Sequence, residues 1–254
     1  MKLSILIPAH NEEGSIRKTC ISIINCLEEK LIDYEILVVN DCSSDSTENI
    51  LIDLSRRFRS LWYINNPPPN GFGYAVRRGL ASFKGDAVCI VMADLSDSPE
   101  DIVKYYNKLQ EGYECVFGSR FIKGSRIFDY PKFKLIINRL ANFFIRVLFR
   151  IDHNDITNAF KCYRREVING VSPILSPHFN LTVELPLKAI VRGYNFAIIP
   201  ISWTNRVSGV SKLMLKEMGS RYLFIVLYVF LEKLLTKHDY HRSMIKNQFS
   251  NEIK

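Results

Sequence analysis

No stretch of the sequence reaches the roughly 20 apolar residues that a membrane-spanning helix needs. The longest uninterrupted run, Tyr222–Leu231 (YLFIVLYVFL), is about half that length, so a crossing is not expected. The six cysteines, Cys20, Cys26, Cys42, Cys89, Cys115 and Cys162, form no CxxC pair, which argues against a zinc site. Several lie in apolar runs, where cysteine behaves as a small hydrophobe, and they read as reduced thiols in a cytosolic setting. No GxGxxG follows the first apolar run. The turn there is PAHNEEG, with one glycine, and the nearest approach, Gly71-Phe72-Gly73, comes later and lacks the third glycine. A dinucleotide-binding dehydrogenase is therefore disfavoured, and no Walker A sequence supplies a phosphate loop. The standard nucleic-acid-binding motifs are missing, and no nucleic-acid partner is expected. There is no internal repeat, and no low-complexity segment longer than Pro67-Pro68-Pro69. The first residues, MKLSILIPAHNEE, carry an apolar run too short for a signal peptide.

What is present is a chain of 254 residues, 47% hydrophobic, enough for one well-packed domain with a small appendage. Its net charge of +8 is unevenly spread. Residues 1–119 hold 12 Lys and Arg against 17 Asp and Glu, a net of −5, whereas residues 120–254 hold 22 against 9, a net of +13. The second half should meet something anionic, either a phosphorylated substrate or an acidic membrane surface.

Strand and helix patterns alternate through the first half. Leu3–Ile7, Tyr34–Val39, Leu61–Ile64, Ala87–Met92 and Glu114–Gly118 read as short buried strands. Ile16–Leu31, a segment capped by Ser46 and reaching about Phe58, Tyr74–Phe83 and Pro99–Gln110 read as helices. This order predicts an α/β fold with a mostly parallel central sheet and helices on both faces. Polar residues follow three of the strand ends: His10-Asn11-Glu12, Asn40-Asp41 and Asp94. In such sheets ligands bind at the carboxyl edge, so these clusters should converge.

The stretch Asp86–Asp101 is the sharpest of these. Its apolar run breaks into Asp94, Asp97, Glu100 and Asp101. Ser98-Pro99 opens a helix, whose first turn accounts for Glu100 and Asp101. Asp94 lies before the cap and is expected to be functional. Carboxylates at strand tips, without a glycine cradle, point to a metal-bridged diphosphate, because hard divalent cations take oxygen ligands and bridge phosphates.

In the second half, Pro131–Ile151 reads as a long apolar helix with a basic stripe of Arg139, Asn142, Arg146 and Arg150 and an apolar surface from Phe143, Phe144, Leu148 and Phe149. Leu213–Leu235 repeats the theme, with Lys216 and Arg221 before the apolar run and Lys233 and Lys237 after it. Both are expected to be amphipathic helices lying in a membrane interface, or ordinary core helices whose stripe faces water. The tail from His238 is polar and is expected to fray. His153, His178, His238 and His241 are expected on the surface or in loops. Glu184 is open between an acceptor-site residue and a helix-surface residue. Asp155 and Arg164 are open between a structural ion pair and acceptor contacts.

Taken together, eight segments in order resemble the family 2 glycosyltransferases of the GT-A fold, and within them the dolichol-phosphate mannose synthase branch. They are IPAHNEE (Ile7–Glu13), VVNDCSSDST (Val38–Thr47), GFGYAVRRG (Gly71–Gly79), MADLSDSPED (Met92–Asp101), GSRFIKGS (Gly118–Ser125), NRLAN (Asn138–Asn142), DITNAFKCYRREV (Asp155–Val167) and RVSGVSK (Arg206–Lys212). The resemblance covers Leu3 to about Leu235. It implies a GT-A domain over residues 1–212, with a nucleotide-sugar half (1–119) and an acceptor half (120–212), followed by an apolar helix and polar tail (213–254). It implies inverting transfer of a sugar from a nucleotide diphosphate to a polyprenyl phosphate, by an enzyme peripheral to the cytoplasmic face of the membrane, with Mg²⁺ or Mn²⁺ as cofactor and a homo-oligomer as one possible state. On the matching positions, Pro8, His10 and Glu12 would line the nucleotide pocket, and Val39 and Asp41 would contact base and ribose. Asp94, beside Ala93, would hold the metal with Asp97 in support, and Arg120, Arg206 and Lys212 would bind phosphates. Two departures stand out. The family's Asp-x-Asp is Met92-Ala93-Asp94 here, and its paired Asp-Asp is Asn40-Asp41. The family commonly has another residue, often Tyr, where His10 stands.

The chemistry favours the same acceptor. A phosphate monoester is ionised at neutral pH, its second ionisation falling near 6, so its attack on an anomeric carbon needs no strong base. A sugar hydroxyl would need one, from Asp97 or Glu184, and nothing in the spacing singles out either. The alternatives are a glycosyltransferase acting on a soluble or growing glycan, and a catalytically weakened partner subunit, suggested by Met92 in place of a carboxylate.

Overall fold

The computed structural model describes residues 1–205, 215–236 and 239–242, the side chains of 215–218 excepted. Five parallel strands build most of the main sheet: β1 (Leu3–Ala9), β2 (Tyr34–Asn40), β3 (Leu61–Asn65), β4 (Ala87–Ile90) and β5 (Cys115–Ser119). Further along the chain, β7 (Lys161–Arg164) inserts antiparallel between β4 and β5, and β8 (Phe196–Pro200) closes the edge parallel to β5. The strand order is β3-β2-β1-β4-β7-β5-β8. A separate pair, β6 (Arg126–Phe128) and β9 (Ser202–Thr204), lies parallel, and Asp97 makes an isolated bridge to Trp203 beside it.

Helices cover both faces. Helices α1 (Ile16–Glu29), α2 (Thr47–Arg57) and α4 (Pro99–Gln110) bury one apolar face each against Leu3, Ile5, Ile7, Ile36 and Val38. Helices α3 (Phe72–Leu80), α6 (Arg165–Val171) and α7 (Leu181–Val191) cover Leu6, Leu37, Val39, Val88 and Ile90 on the other side. The alternation of side chains along each strand is what sends odd and even positions to opposite layers. A third core joins α5 (Lys132–Phe149), α7 and α8 (Leu215–Leu235) through Ile145, Phe149, Val183, Leu187, Ile225, Val226 and Val229. Arg192, just past α7, clamps α8 by a buried two-point ion pair with Glu232 at 2.7 and 3.0 Å.

The predicted mostly parallel sheet with helices on both faces is what the chain adopts. Strand β1 runs past Pro8 instead of ending there. The Leu6 carbonyl accepts from Val91 and the Ala9 carbonyl from Asp41, so Pro8, two residues on from Leu6, turns its missing N–H toward β4. That side is already beyond the last β1–β4 pair, Leu6–Ile90, and no ladder bond is lost. The third helix starts two residues earlier than expected, at Phe72, because Gly71 (φ 148°) makes the turn into it.

Helix α5 corrects one expectation. Its polar stripe does not face water as a unit: Asn142 is buried and bonds Asn138 and Thr157, and Arg146 is half-buried. The apolar surface is exposed, as the interfacial alternative expects, with Phe133, Ile136, Leu140, Phe143, Phe144 and Val147 along one side, whereas Phe149 is buried. Helix α8 likewise exposes Leu223, Phe224, Leu227, Leu231 and Leu235. Among the described residues no helix is long and apolar enough to cross a membrane.

Candidate active site

Strand order reverses direction at β1, which has β2 on one side and β4 on the other. The carboxyl ends of these three strands therefore bound a crevice at a topological switch point. The segments 8–12, 40–41 and 92–97 all leave the sheet there, as expected. His10 Nδ1–H donates to the Asp41 carbonyl at 2.6 Å, joining the first two. Glu12 is held by its backbone N–H on Thr47 Oγ1 (2.8 Å) and receives Ser15 Oγ–H on its carboxylate (2.9 Å). Ala93 ties the third segment to α1, its carbonyl accepting from Thr19 Oγ1 at 2.9 Å.

Asp41 is buried, and each carboxylate oxygen takes one donor, Asn66 Nδ2 at 2.7 Å and the Gly71 N–H at 2.8 Å. Each oxygen keeps a further acceptor site. Asn66 and the Gly71 turn were not singled out by sequence, although Gly71 opens a recognised segment. Asn40, which replaces a carboxylate of the family pattern, bonds Asn65 Oδ1 at 2.8 Å and so serves the β2–β3 edge. The Val39 side chain is fully buried in the core beneath the sheet.

At the third strand end, Asp94 is buried and accepts the Ser96 N–H at 3.1 Å. Asp97 turns back toward the strand, its Oδ2 accepting the Met92 N–H at 2.9 Å. Burial pushes the Asp97 carboxyl up to about 7; the Met92 hydrogen bond opposes this, and the nearby Asp94 charge adds to it. Among the described residues no group of three or more His, Cys, Asp or Glu gathers as a ready metal cage. The donor set is instead one or two carboxylates, which suits Mg²⁺, a cation that keeps waters and takes phosphate oxygens as its remaining ligands. Asp101 belongs to structure: it accepts the Ser202 N–H at 2.6 Å and pairs with Lys104, tying α4 to β9.

Across the sheet lies a second cluster. Arg120, at the end of β5, is buried and forms a two-point ion pair with Asp155, Nε to Oδ2 at 2.8 Å and Nη2 to Oδ1 at 2.7 Å. Its backbone N–H also donates to Asp155 Oδ2 at 2.9 Å. The guanidinium sits among Phe121, Tyr130 and Trp203, with ring centroids 5.4, 5.4 and 5.9 Å away. From α5, Arg139 lies over Phe121 (4.8 Å) and Lys134 over Tyr130 (6.0 Å). The expected phosphate ligand Arg120 thus has two of its three nitrogens committed to Asp155, with Nη1 on the Tyr130 side. The pairing of Asp155 with Arg164 is overturned, since Arg164 donates to the carbonyls of Leu109 and Tyr113. Arg206 and Lys212 lie outside the described residues.

Glu184 proves structural and is not on a helix surface. It is fully buried, pairs with Lys188 at 2.7 Å, and accepts the N–H groups of Leu175 and Ser176. His153, expected on the surface, is fully buried against Phe117, and burial with nearby Lys161 pushes it down to about 3. His178 and His241 are partly buried, and His238 lies outside the described residues.

The strand-edge crevice lined by carboxylates lies at the switch point of the sheet, with the cationic and aromatic cluster beyond β7. Residues 4–171 match the Glycosyl transferase family 2 domain, and the chain belongs to that family. It is 31% identical over 217 residues to a dolichol-phosphate mannosyltransferase of Pyrococcus furiosus, covering 84% of this chain and 59% of that protein. It is 27% identical over 221 residues to a polyprenol monophosphomannose synthase of Mycolicibacterium smegmatis, covering 82% of this chain and 80% of that one. The chain thus spans under two thirds of the length of the Pyrococcus relative. Among solved structures, glucosyl-3-phosphoglycerate synthase of Mycobacterium tuberculosis with Mn²⁺, UDP-glucose and phosphoglyceric acid superposes with a TM-score of 0.68. That match is at 20% identity and covers 91% of this chain and 79% of that one. The complex of the same synthase with Mg²⁺ and UDP gives 0.66 at 21% identity, with the same coverage.

Proposed function

We propose that this glycosyltransferase moves a sugar, with inversion, from a nucleotide diphosphate to a polyprenyl phosphate at the cytoplasmic face of a membrane. The observation that carries this reading is one juxtaposition. The acidic tip at Asp94 follows β4 and Arg120 follows β5, one strand beyond across the β7 insertion, while Lys134 and Arg139, over the aromatic neighbours of Arg120, stand on a helix whose outer side is an exposed apolar stripe. A phosphate head and a hydrocarbon tail are matched in one direction along α5. The names of the two relatives support the same acceptor class.

In this reading Pro8, His10, Glu12 and Asp41 line the nucleotide pocket, and Asp41 accepts from the ribose. Asp94, with Asp97 behind it, would hold Mg²⁺ or Mn²⁺ at the donor diphosphate. The bound cation would neutralise charge on the departing diphosphate. Arg120 Nη1, Lys134 and Arg139, with Arg206 and Lys212, bind and orient the acceptor phosphate. Its oxygen is already ionised, so these residues catalyse by positioning and charge stabilisation, and no side chain has to remove a proton. The exposed phenylalanines and leucines of α5 and α8 settle into the interfacial layer, with Lys132 and Arg150 against anionic headgroups. Such a helix pair binds a membrane without spanning it.

Incubation of the purified protein with labelled nucleotide sugars, Mg²⁺ and polyprenyl phosphate in vesicles tests the proposal. Label extracting into the lipid phase supports it. Label that stays wholly in the aqueous phase with every donor overturns it.

A further inference from the structure

We propose that Lys161 is a positioning residue for the acceptor phosphate, acting through Asp155 and Arg120 and not touching substrate itself. The inference rests on the function proposed above.

Lys161 opens β7 in the middle of the sheet, opposite Ile90 of β4 and Phe117 of β5, and is almost completely buried. A lysine there has to find partners, because an unpaired buried ammonium is costly. It finds three backbone carbonyls: Ile156 at 2.9 Å, Thr182 at 3.1 Å, and Asn158. An ammonium has three N–H donors and no acceptor, so the three carbonyls use it fully. No carboxylate pairs with it directly among the described residues.

The identity of those carbonyls gives the lysine its role. Ile156 and Asn158 belong to the turn that starts at Asp155, closed by the Asn158 N–H on the Asp155 carbonyl at 3.2 Å. Thr182 is in the first turn of α7, and Tyr222 of α8 grips the residues leading into that turn through the Phe179 carbonyl at 3.0 Å. Lys161 therefore fastens the Asp155 turn to the α7–α8 layer. Asp155 in turn holds Arg120 by three bonds, one to backbone and two to side chain. Arg120 presents Nη1 toward Tyr130, beneath Lys134 and Arg139. The linkage runs in one direction, from β7 to the acceptor cluster. None of the Lys161 hydrogen bonds goes to the segments 8–12, 40–41 or 66–71 that build the donor side.

A lysine that merely fills space would be replaceable by methionine, with an effect on stability alone. A positioning lysine separates the two substrates. Placement errors of about 1 Å at a binding constellation cost up to about 100-fold. Lys161→Met and Asp155→Asn should therefore each weaken binding of a short-chain isoprenyl phosphate by about tenfold or more, with nucleotide-sugar affinity within about twofold of the parent.

The chain has two tryptophans, and Trp203 lies over Arg120, so a Trp62→Phe parent makes Trp203 emission a reporter of that cage. The experiment measures isoprenyl phosphate and nucleotide-sugar titrations, by Trp203 emission and by calorimetry, in this parent and both variants. Lys161→Arg, which keeps a cation with several donors, should recover part of the loss. If Lys161→Met does not fold, Lys161→Gln, with two neutral N–H donors, takes its place. The inference is overturned if the Lys161 variant binds isoprenyl phosphate like its parent while Asp155→Asn does not, or if it weakens both ligands equally. Should the parent bind nucleotide sugar but no isoprenyl phosphate, the proposed function fails, and the emission spectra still decide the linkage. A matching change in both variants supports it, and an unchanged Lys161 spectrum contradicts it.

Discussion

Arg120 and Asp155 face each other as a fork against a fork, two parallel N–H···O bonds of 2.8 and 2.7 Å, in a place where neither is more than slightly exposed. This geometry fixes the plane of the guanidinium as well as its charge. It also makes the pair vulnerable. Asp155→Ala leaves a buried cation alone, and removal of one partner of such a pair costs about 3–5 kcal/mol. Urea unfolding of the variant against wild type measures that loss. A loss under about 1 kcal/mol would mean that Arg120 finds another partner or reaches water.

In the proposed reading Asp94 is the carboxylate that would hold the metal. Asp94→Ala should lower turnover by about 100-fold or more, on the scale of losing one preorganised group that stabilises transition-state charge. Circular dichroism should stay unchanged. The companion variant Met92→Asp restores a second carboxylate where the side chain is partly exposed. It should lower the Mg²⁺ concentration needed for half-maximal rate, read from a metal titration at saturating donor.

The apolar sides of α5 and α8 should matter to vesicles and not to folding. Phe143 and Phe224 are each 63% exposed. Changing both to Glu should leave the melting temperature nearly unchanged, since exposed substitutions usually stay within about 0.5 kcal/mol. It should abolish sedimentation with vesicles containing anionic lipid. Undiminished sedimentation would place the contact elsewhere on the molecule.

His153 sets an acid limit. Its folded-state value is pushed down to about 3 from the ordinary 6.5. Between those values the unfolded chain binds a proton that the folded chain refuses. Stability therefore rises with pH through that window and is lost as pH falls below about 6.5. His153→Phe, which retains stacking on Phe117, should flatten this acid limb in melting temperatures measured from pH 4 to 7. A parallel decline in both proteins would assign the acid sensitivity to other groups.

The layers were legible because each central strand is a run of apolar residues closed by polar ones, and strand ends converge by topology alone. Asp94 could be found for that reason. The ion pair of Arg120 could not. Asp155 is 35 residues away in sequence, and only the antiparallel insertion of β7, which no local pattern in KCYR announces, brings its turn to β5. The burial of Asn142 is not legible in a helical projection, where it looks solvent-loving beside Arg139 and Arg146. Its bonds to Asn138 and Thr157 satisfy it inside, which frees the phenylalanine side to face out. His153 and Glu184 show the same limit. A polar letter is read as surface until its buried partners, or its lack of them, can be seen.

The central claim is that the acceptor is a phosphate carried on a lipid. It is tested most directly by offering one labelled nucleotide sugar, with Mg²⁺, to vesicles that contain either a polyprenyl phosphate or the unphosphorylated polyprenol of the same chain length. The account predicts label in the lipid phase with the phosphate alone. Equal labelling of the free alcohol, or transfer only to a soluble hydroxyl acceptor, would contradict it.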